Sequence, residues 1–229
     1  MRLRHRILLA AVGYAFAWYA CASPTAGLDW DTTFADHSFG RPLHFVAHYQ
    51  DRRGAHRLEE WRQGTEHLRR RTDDRIDLHA DRIGAAHAGQ PADYLWQIVD
   101  IEKKVDHRIS THAMLQTGMI YSFWSMAHVL VRPAGRSALV ALPEQAPVRV
   151  GGVGCEWYVL QPDSQPATRV CWASSIAAPL RMQALSGDGQ WNTTFSIDAL
   201  DSKPLDAAQF RVNTAALQVR NVDELAAED

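Results

Sequence analysis

The chain has 229 residues, with 26 Asp and Glu against 24 Lys and Arg, and a net charge of −2 with neutral histidines. Such a balance excludes nucleic acid as the main partner, because phosphate binding needs a basic surface. The length suits one sizeable domain and does not demand two.

Residues 1–22, MRLRHRILLAAVGYAFAWYACA, read as a signal peptide. Arg2, Arg4 and Arg6 form a basic n-region, Ile7 to Ala17 is an uncharged apolar run, and Ala20-Cys21-Ala22 fits the small-x-small cleavage rule. The run is too short for a membrane span. An alanine before Cys21 also has the form of a lipobox, which would make Cys21 an acylated anchor, although Trp18 and Tyr19 depart from that pattern. Cleavage before Ser23 and lipidation at Cys21 both imply export to the periplasm or the outer membrane of a Gram-negative bacterium. Three arginines and no acid leave with the leader, taking the net charge from −2 to −5.

After an extension over 23–40, a single domain is expected over 41–225, built mostly of short strands. PLHFVAHYQ alternates, with Leu43, Phe45, Ala47 and Tyr49 on one face. HRLEEWRQGTEHLRRRTDDRIDLHADR reads as three polar strands linked by turns at Gln63-Gly64 and Asp73-Asp74, with one charged side in water. YLWQIVDIEKKVDHRI reads as a further strand or hairpin.

The period then changes. Leu115, Met119, Phe123 and Ala127 recur every four residues beside Ile120, Trp124 and Val131, with Ser110 or Thr111 as a cap and Pro133 as a stop. The spacing predicts one long helix over 110–131. Residues 113–131 carry no formal charge, but Gln116, Thr117, Ser122, Ser125 and His128 fit a helix packed on a sheet better than a membrane span.

Strands return after residue 137. In an oxidising compartment Cys155 and Cys171 are the candidate pair, since Cys21 is either removed or acylated. If 155–160 and 169–173 pair about a turn near Asp163, facing residues sum to 326, which places Cys155 opposite Cys171 and Trp157 opposite Arg169. A structural disulfide fits better than a metal clip, because no histidine follows His128. The expected fold is mainly β with one long helix: a curved antiparallel half-open barrel covered by a helical lid.

Catalytic signals are weak. No GxSxG elbow occurs, Gly151-Gly152-Val153-Gly154 reads as a turn, and acid pairs such as Asp73/Asp74 sit at turns. All eleven histidines precede residue 129. His44 and His48 share a strand face at about 13 Å along an extended chain, too far for one metal. No HExxH and no helical HxxxH pair occurs among His79, His107, His112 and His128.

The order of the polar meander, YLWQIVDIEKKV, a helical stretch, CWASSIAAPLRMQAL and the closing KPLDAAQFRVN resembles the LolA/LolB lipoprotein-carrier superfamily, which also includes RseB. The resemblance covers roughly residues 40–215 and rests on short motifs. It implies a half-open barrel around an apolar cavity that binds acyl chains or lipidated proteins, without catalysis. Trp61, Trp96, Leu115, Met119, Phe123, Trp124, Trp157 and Trp172 are the candidate cavity residues. No cofactor is called for, and the partner is an apolar ligand, a lipidated protein or another envelope protein. Two alternatives stand beside this reading. One is a metal- or haem-binding protein, or a metal-dependent enzyme, using His44, His48, His79, His107, His112 and His128. The other is an RseB-like sensor or scaffold acting through a protein partner.

Overall fold

The structure, a computed structural model, describes residues 27–38, 40–84, 92–111, 122–163 and 165–221. Leader residues 1–26, including Cys21, lie outside the described residues, as do Leu115, Met119 and His112.

Twelve strands form one large, curved, open sheet. In chain order these are β1 (Pro42–Asp51), β2 (Gly54–Gln63), β3 (His67–Thr72), β4 (Ile76–Arg82), β5 (Tyr94–Asp100), β6 (Val105–Ser110), β7 (Ser137–Ala141), β10 (Glu156–Pro162), β11 (Thr168–Ala173), β12 (Ala178–Leu185), β13 (Trp191–Asp201) and β14 (Gln218–Asn221). A hairpin of β8 (Arg149–Val150) and β9 (Val153–Gly154) stands apart. The order across the sheet is β14-β6-β5-β4-β3-β2-β1-β13-β12-β11-β10-β7. Every neighbour is antiparallel except β14, which returns parallel to β6.

Local sequence accounts for the meander. Leu43, Phe45 and Ala47 are buried at alternate positions of β1, so the period of two sets its inward face. The β2–β3 turn needs Gly64, at φ 55°, where an added Cβ would sit 3.2 Å from the Gly40 Cα. Asp73 and Asp74 hold φ 51° and 54° in the β3–β4 turn, a conformation aspartate tolerates better than most residues. YLWQIVDIEKKVDHRI forms a hairpin, β5–β6.

The curved sheet stays open rather than closing into a barrel. Three expectations change: the long helix, the lid it would form and the register about the disulfide. No single helix spans 110–131: Ser110 ends β6, and Ser122 has extended backbone (φ −78°, ψ 144°) as the N-cap of a short helix over Phe123–His128. Val129 stops that helix in the left-handed region, and a β-branched residue at φ 52° is strained there. Among the described residues of this stretch no long helical lid is formed; the helix seen there has six residues. With the four-residue helix Trp30–Thr33 as α1, it is called α2 here. No helix among the described residues is long and apolar enough to cross a membrane.

The third change concerns register. Trp157 pairs with Cys171 and Val159 with Arg169, two residues from the expected alignment. Facing residues of the pair sum to 328 rather than 326, so Cys155 lies just ahead of β10, diagonal to Cys171. The two cysteines are joined, with Cα atoms 5.3 Å apart.

Packing divides into three apolar clusters. One gathers Leu43, Phe45, Leu58, Trp157, Leu180 and Phe195 around the disulfide. A second sets Phe123 and Ala127 of α2 against Leu68, Trp96 and Ile109. In the third, Phe34, just after α1, meets Leu130, Leu160 and Trp172, with Trp30 and Trp124 at its border. The short helix α2 thus bridges two clusters across one face of the sheet, termed here the inner face.

A candidate ligand cavity on the inner face

Cross-strand register builds the inner face row by row. One row runs Phe45, Glu60, Arg70, Leu78, Ile98, and a second runs Leu43, Arg62, Leu68, Ala80, Trp96. Charged residues therefore stand in the apolar face. Glu60 and Arg62 are 0 % and 1 % exposed, so the meander does not present these charges to water or to lipid headgroups as its composition suggests.

The chemistry of burial explains why they are tolerated. Arg62 donates from Nη1 to the carbonyls of Ala127 and Ala177, the latter at 3.3 Å, and from Nη2 to the carbonyl of Ile176. Arg70 donates from Nε and Nη2 to Glu60 Oε2 at 2.9 and 2.6 Å, and from Nη2 to the carbonyl of Met126. Met126 and Ala127 are in the last turn of α2, whose carbonyls lack an i+4 donor within the helix, although the Met126 carbonyl also accepts from the C-cap Val129 N. Two guanidiniums thus cap its C-terminal end, where positive charge is favoured by the helix dipole. Burial pushes the Glu60 carboxyl up, against the pull of Arg70 and Arg62, and its Oε1 has no hydrogen-bond partner.

His128 completes this region. Its Nδ1 donates to the carbonyl of Trp124 at 2.7 Å, and its Nε2 lies 3.3 Å from Asp36 Oδ2. Burial lowers the His128 pKa. Burial would raise Asp36, but hydrogen bonds from His128 and Ser38 outweigh it and hold the carboxyl well below the usual range.

Beside α2 the inner face opens into a cavity of about 540 Å³. Leu58, Ile76, Leu78, Met126, Met182 and Phe195 supply most of its wall, and Arg70 is its one charged lining residue. Thr72, Thr194, Gln50 and Tyr49 add polar groups at the lining. The volume is within the range of small-ligand pockets, about 300–1,000 Å³.

Of the residues expected from sequence to line a cavity, those described do not line this one, although Trp124 and Trp157 border smaller hollows. Trp61 is on the opposite, outer face, stacked on His44 at 5.0 Å with the Arg69 guanidinium 4.7 Å from its ring. Trp96 and Phe123 are packed together at 6.5 Å in the second cluster. Trp157 is in the first cluster, its Nε1 donating to the carbonyl of Ala146. Trp124 stacks on His128 and borders Trp172. Of the sulfur-bearing side chains, Met126 and Met182 reach the cavity.

The histidines do not converge. His44 bonds Glu59 at 2.9 Å, His48 bonds Asp198, His79 lies 3.2 Å from Asp77, and His107 stands opposite Ile98 on the inner face. Among the described residues no group of three or more His, Cys, Asp or Glu is placed to hold a metal.

On the outer face Arg69 and Arg71 both pair with Asp77, and the Arg69 Nη1 donates to the Gln209 carbonyl at 2.9 Å. Gln209 is in a 3₁₀ turn, Ala207–Phe210, capped by Asp206, that packs Phe210 near His67 and leads on to β14. Burial would raise Asp77, but hydrogen bonds from His79, Arg69 and Arg71 hold it well below the usual range.

No family model matches the chain, and no curated protein matches it in sequence. Solved structures similar to it include MucB, at 14% identity and TM-score 0.45 over 83% of this chain, and the Pseudomonas aeruginosa MucA/MucB complex, at 15% and 0.45 over 84%. The chain spans 64% and 62% of those MucB chains. An uncharacterised conserved protein from Thermus thermophilus is similar at 10% identity and TM-score 0.42, over 83% of this chain and 96% of that one.

Proposed function

We propose that this is a non-catalytic protein of the bacterial envelope that binds an apolar ligand, a lipid or the acyl part of a lipidated protein, in the inner-face cavity. The observation that carries the reading is the wall itself: side chains of β1, β2, β3, β4, β12, β13 and α2 leave about 540 Å³ between them, lined by Leu58, Ile76, Leu78, Met126, Met182 and Phe195. Methionines at two positions suit a ligand of variable shape, because the thioether side chain is flexible and polarisable. Export is supported by the basic, apolar, small-residue order of the first 22 residues and by a disulfide, which persists in oxidising compartments.

A second reading, a scaffold that binds a protein partner, is favoured by the open sheet. β7 and β14 are its two end strands, and an end strand offers backbone groups to an added strand. β7 uses one of them, the Leu139 carbonyl, to accept from Leu28 N. MucB has been solved in complex with MucA, which is the kind of assembly this reading expects.

Native mass spectrometry tests both on protein purified from its own host without chelator or detergent. Extra mass released as lipid supports the cavity reading. A co-purifying polypeptide with no lipid moves the function to the scaffold. A stoichiometric metal or haem contradicts both.

A further inference from the structure

Resting on the cavity reading, we propose that the ligand is a single-chain amphiphile whose carboxylate head sits against Arg70. Arg70 is the one charged residue of the lining, set among Leu58, Ile76, Leu78 and Met126. Its donors are unevenly used. Nε and Nη2 serve Glu60 Oε2 and the Met126 carbonyl. Nη1 has only the Met126 sulfur, at 3.9 Å, a weak acceptor at long range. An arginine presents its donors as a planar fork that fits a carboxylate, and here one prong of a cavity-lining guanidinium has no strong acceptor.

The surrounding charges are already paired: Glu60, fully buried, bonds Arg70, and the ionised Asp36 acts with Glu60 on Arg62. A ligand carboxylate at Arg70 would give Nη1 a charge-assisted acceptor in a mainly apolar wall that is only partly open to water. A quaternary ammonium head would meet the opposite: a cation beside a cation in an apolar wall. A neutral head, an alcohol or an ester, could accept from Nη1 but would make the weaker bond of an uncharged partner.

The full-length protein is loaded with the neutral fluorescent probe N-phenyl-1-naphthylamine, which is then displaced by dodecanoate, dodecyl phosphate, dodecanol, methyl dodecanoate and dodecyltrimethylammonium. Dodecanoate is expected to displace it at concentrations about tenfold or more below dodecanol and the methyl ester, a difference typical of one charge-assisted contact. The ammonium compound is expected to be weakest. In Arg70→Met the carboxylate-to-alcohol ratio falls to about one, whereas Arg70→Lys keeps part of it, since a charge without the fork remains. Equal displacement by dodecanoate and dodecanol in the wild-type protein overturns the proposal while leaving the apolar cavity intact. Preference for dodecyl phosphate over dodecanoate by a similar margin overturns the carboxylate assignment. Failure of the probe and of every amphiphile to bind sinks the cavity reading itself. The head-group series needs no variant, so a misfolded Arg70 substitution would not shield the proposal.

Discussion

Arg62→Met removes the most connected buried donor in the described structure. The side chain is 1 % exposed and reaches three carbonyls, those of Ala127 in α2 and of Ile176 and Ala177 ahead of β12, all far away in sequence. Methionine fills similar space but donates nothing. Each carbonyl left without a partner costs about 1–3 kcal/mol. Relaxation and water entry recover part of that, so the expected loss is about 3–5 kcal/mol, the range for breaking one side of a buried charge network. Glu60 adds to it, because its remaining cation is Arg70 alone. Urea unfolding followed by tryptophan fluorescence and by far-ultraviolet circular dichroism reads the change. With a slope of about 2–3 kcal/mol/M, the midpoint should fall by about 1–2 M with the slope unchanged. A loss under about 1 kcal/mol with coincident transitions would refute the reasoning, since three buried carbonyls cannot lose their donor that cheaply. The double variant Glu60→Gln/Arg62→Met adds an internal check. If the uncompensated carboxylate is part of the cost, the two effects are not additive and the double variant is more stable than their sum implies.

Three other outcomes follow from the same geometry. Replacing Cys155 and Cys171 together by alanine should cost about 3 kcal/mol in the chain-entropy view, read as a lower urea midpoint, and a change under about 1 kcal/mol would show that the link constrains little; the paired residues are 16 apart. Glu60→Gln should cost less at pH 7 than at pH 4. The folded-state pKa of Glu60 is raised from 4.5, so the wild-type protein gains from this group below 4.5 and loses that contribution as pH rises through the folded value, whereas glutamine does not titrate; a penalty that is the same at both pH values contradicts the burial argument. Met182→Trp, placed in the cavity wall, should abolish binding of N-phenyl-1-naphthylamine while changing stability by no more than about 1–2 kcal/mol, and undiminished probe binding would place the ligand elsewhere.

The strands were legible where the information was local. β1 to β6 announce themselves by alternation and by turn residues, Gly64, Asp73 and Asp74, whose backbone conformation requires or tolerates positive φ. The apolar run over 113–131 misled because four-residue spacing of Leu115, Met119, Phe123 and Ala127 ignores Ser122, whose side chain can cap a helix that starts there as well as ride inside a longer one. The buried Glu60 and Arg62 had a signal that composition hides. Folding β1 onto β2 about Arg52-Arg53 puts Glu60 opposite Phe45 and Arg62 opposite Leu43, so two charges share a face with the alternating apolar set. What covers that face could not be read the same way. The partners of Arg62 are 65, 114 and 115 residues away, and nothing near Arg62 in sequence encodes them. The cavity is the extreme case, for it is defined by where side chains of β3, β12 and α2 fail to meet. The tryptophans drew attention as lining candidates because large apolar rings suit a ligand, yet the same size makes them the most effective fillers of a core.

Arg62 and Arg70 both hold α2, but only Arg70 lines the cavity, and that separates two effects that a single substitution would mix. Removing Arg70 alters the wall, the Met126 contact and the charge that meets the ligand together. Removing Arg62 loosens the α2 end at Ala127 while leaving the cavity lining chemically unchanged. If α2 is merely packed in place, Arg62→Met should lower stability and leave the carboxylate-to-alcohol preference of bound amphiphiles as it was. If the position of α2 sets how well a ligand fits, affinity for all amphiphiles should shift together in Arg62→Met, head group regardless, because the Met126 wall has moved while Arg70 has kept its charge. A change in preference without a change in overall affinity would belong to Arg70, and observing it in Arg62→Met would mean that the two guanidiniums act on the ligand as one charged unit.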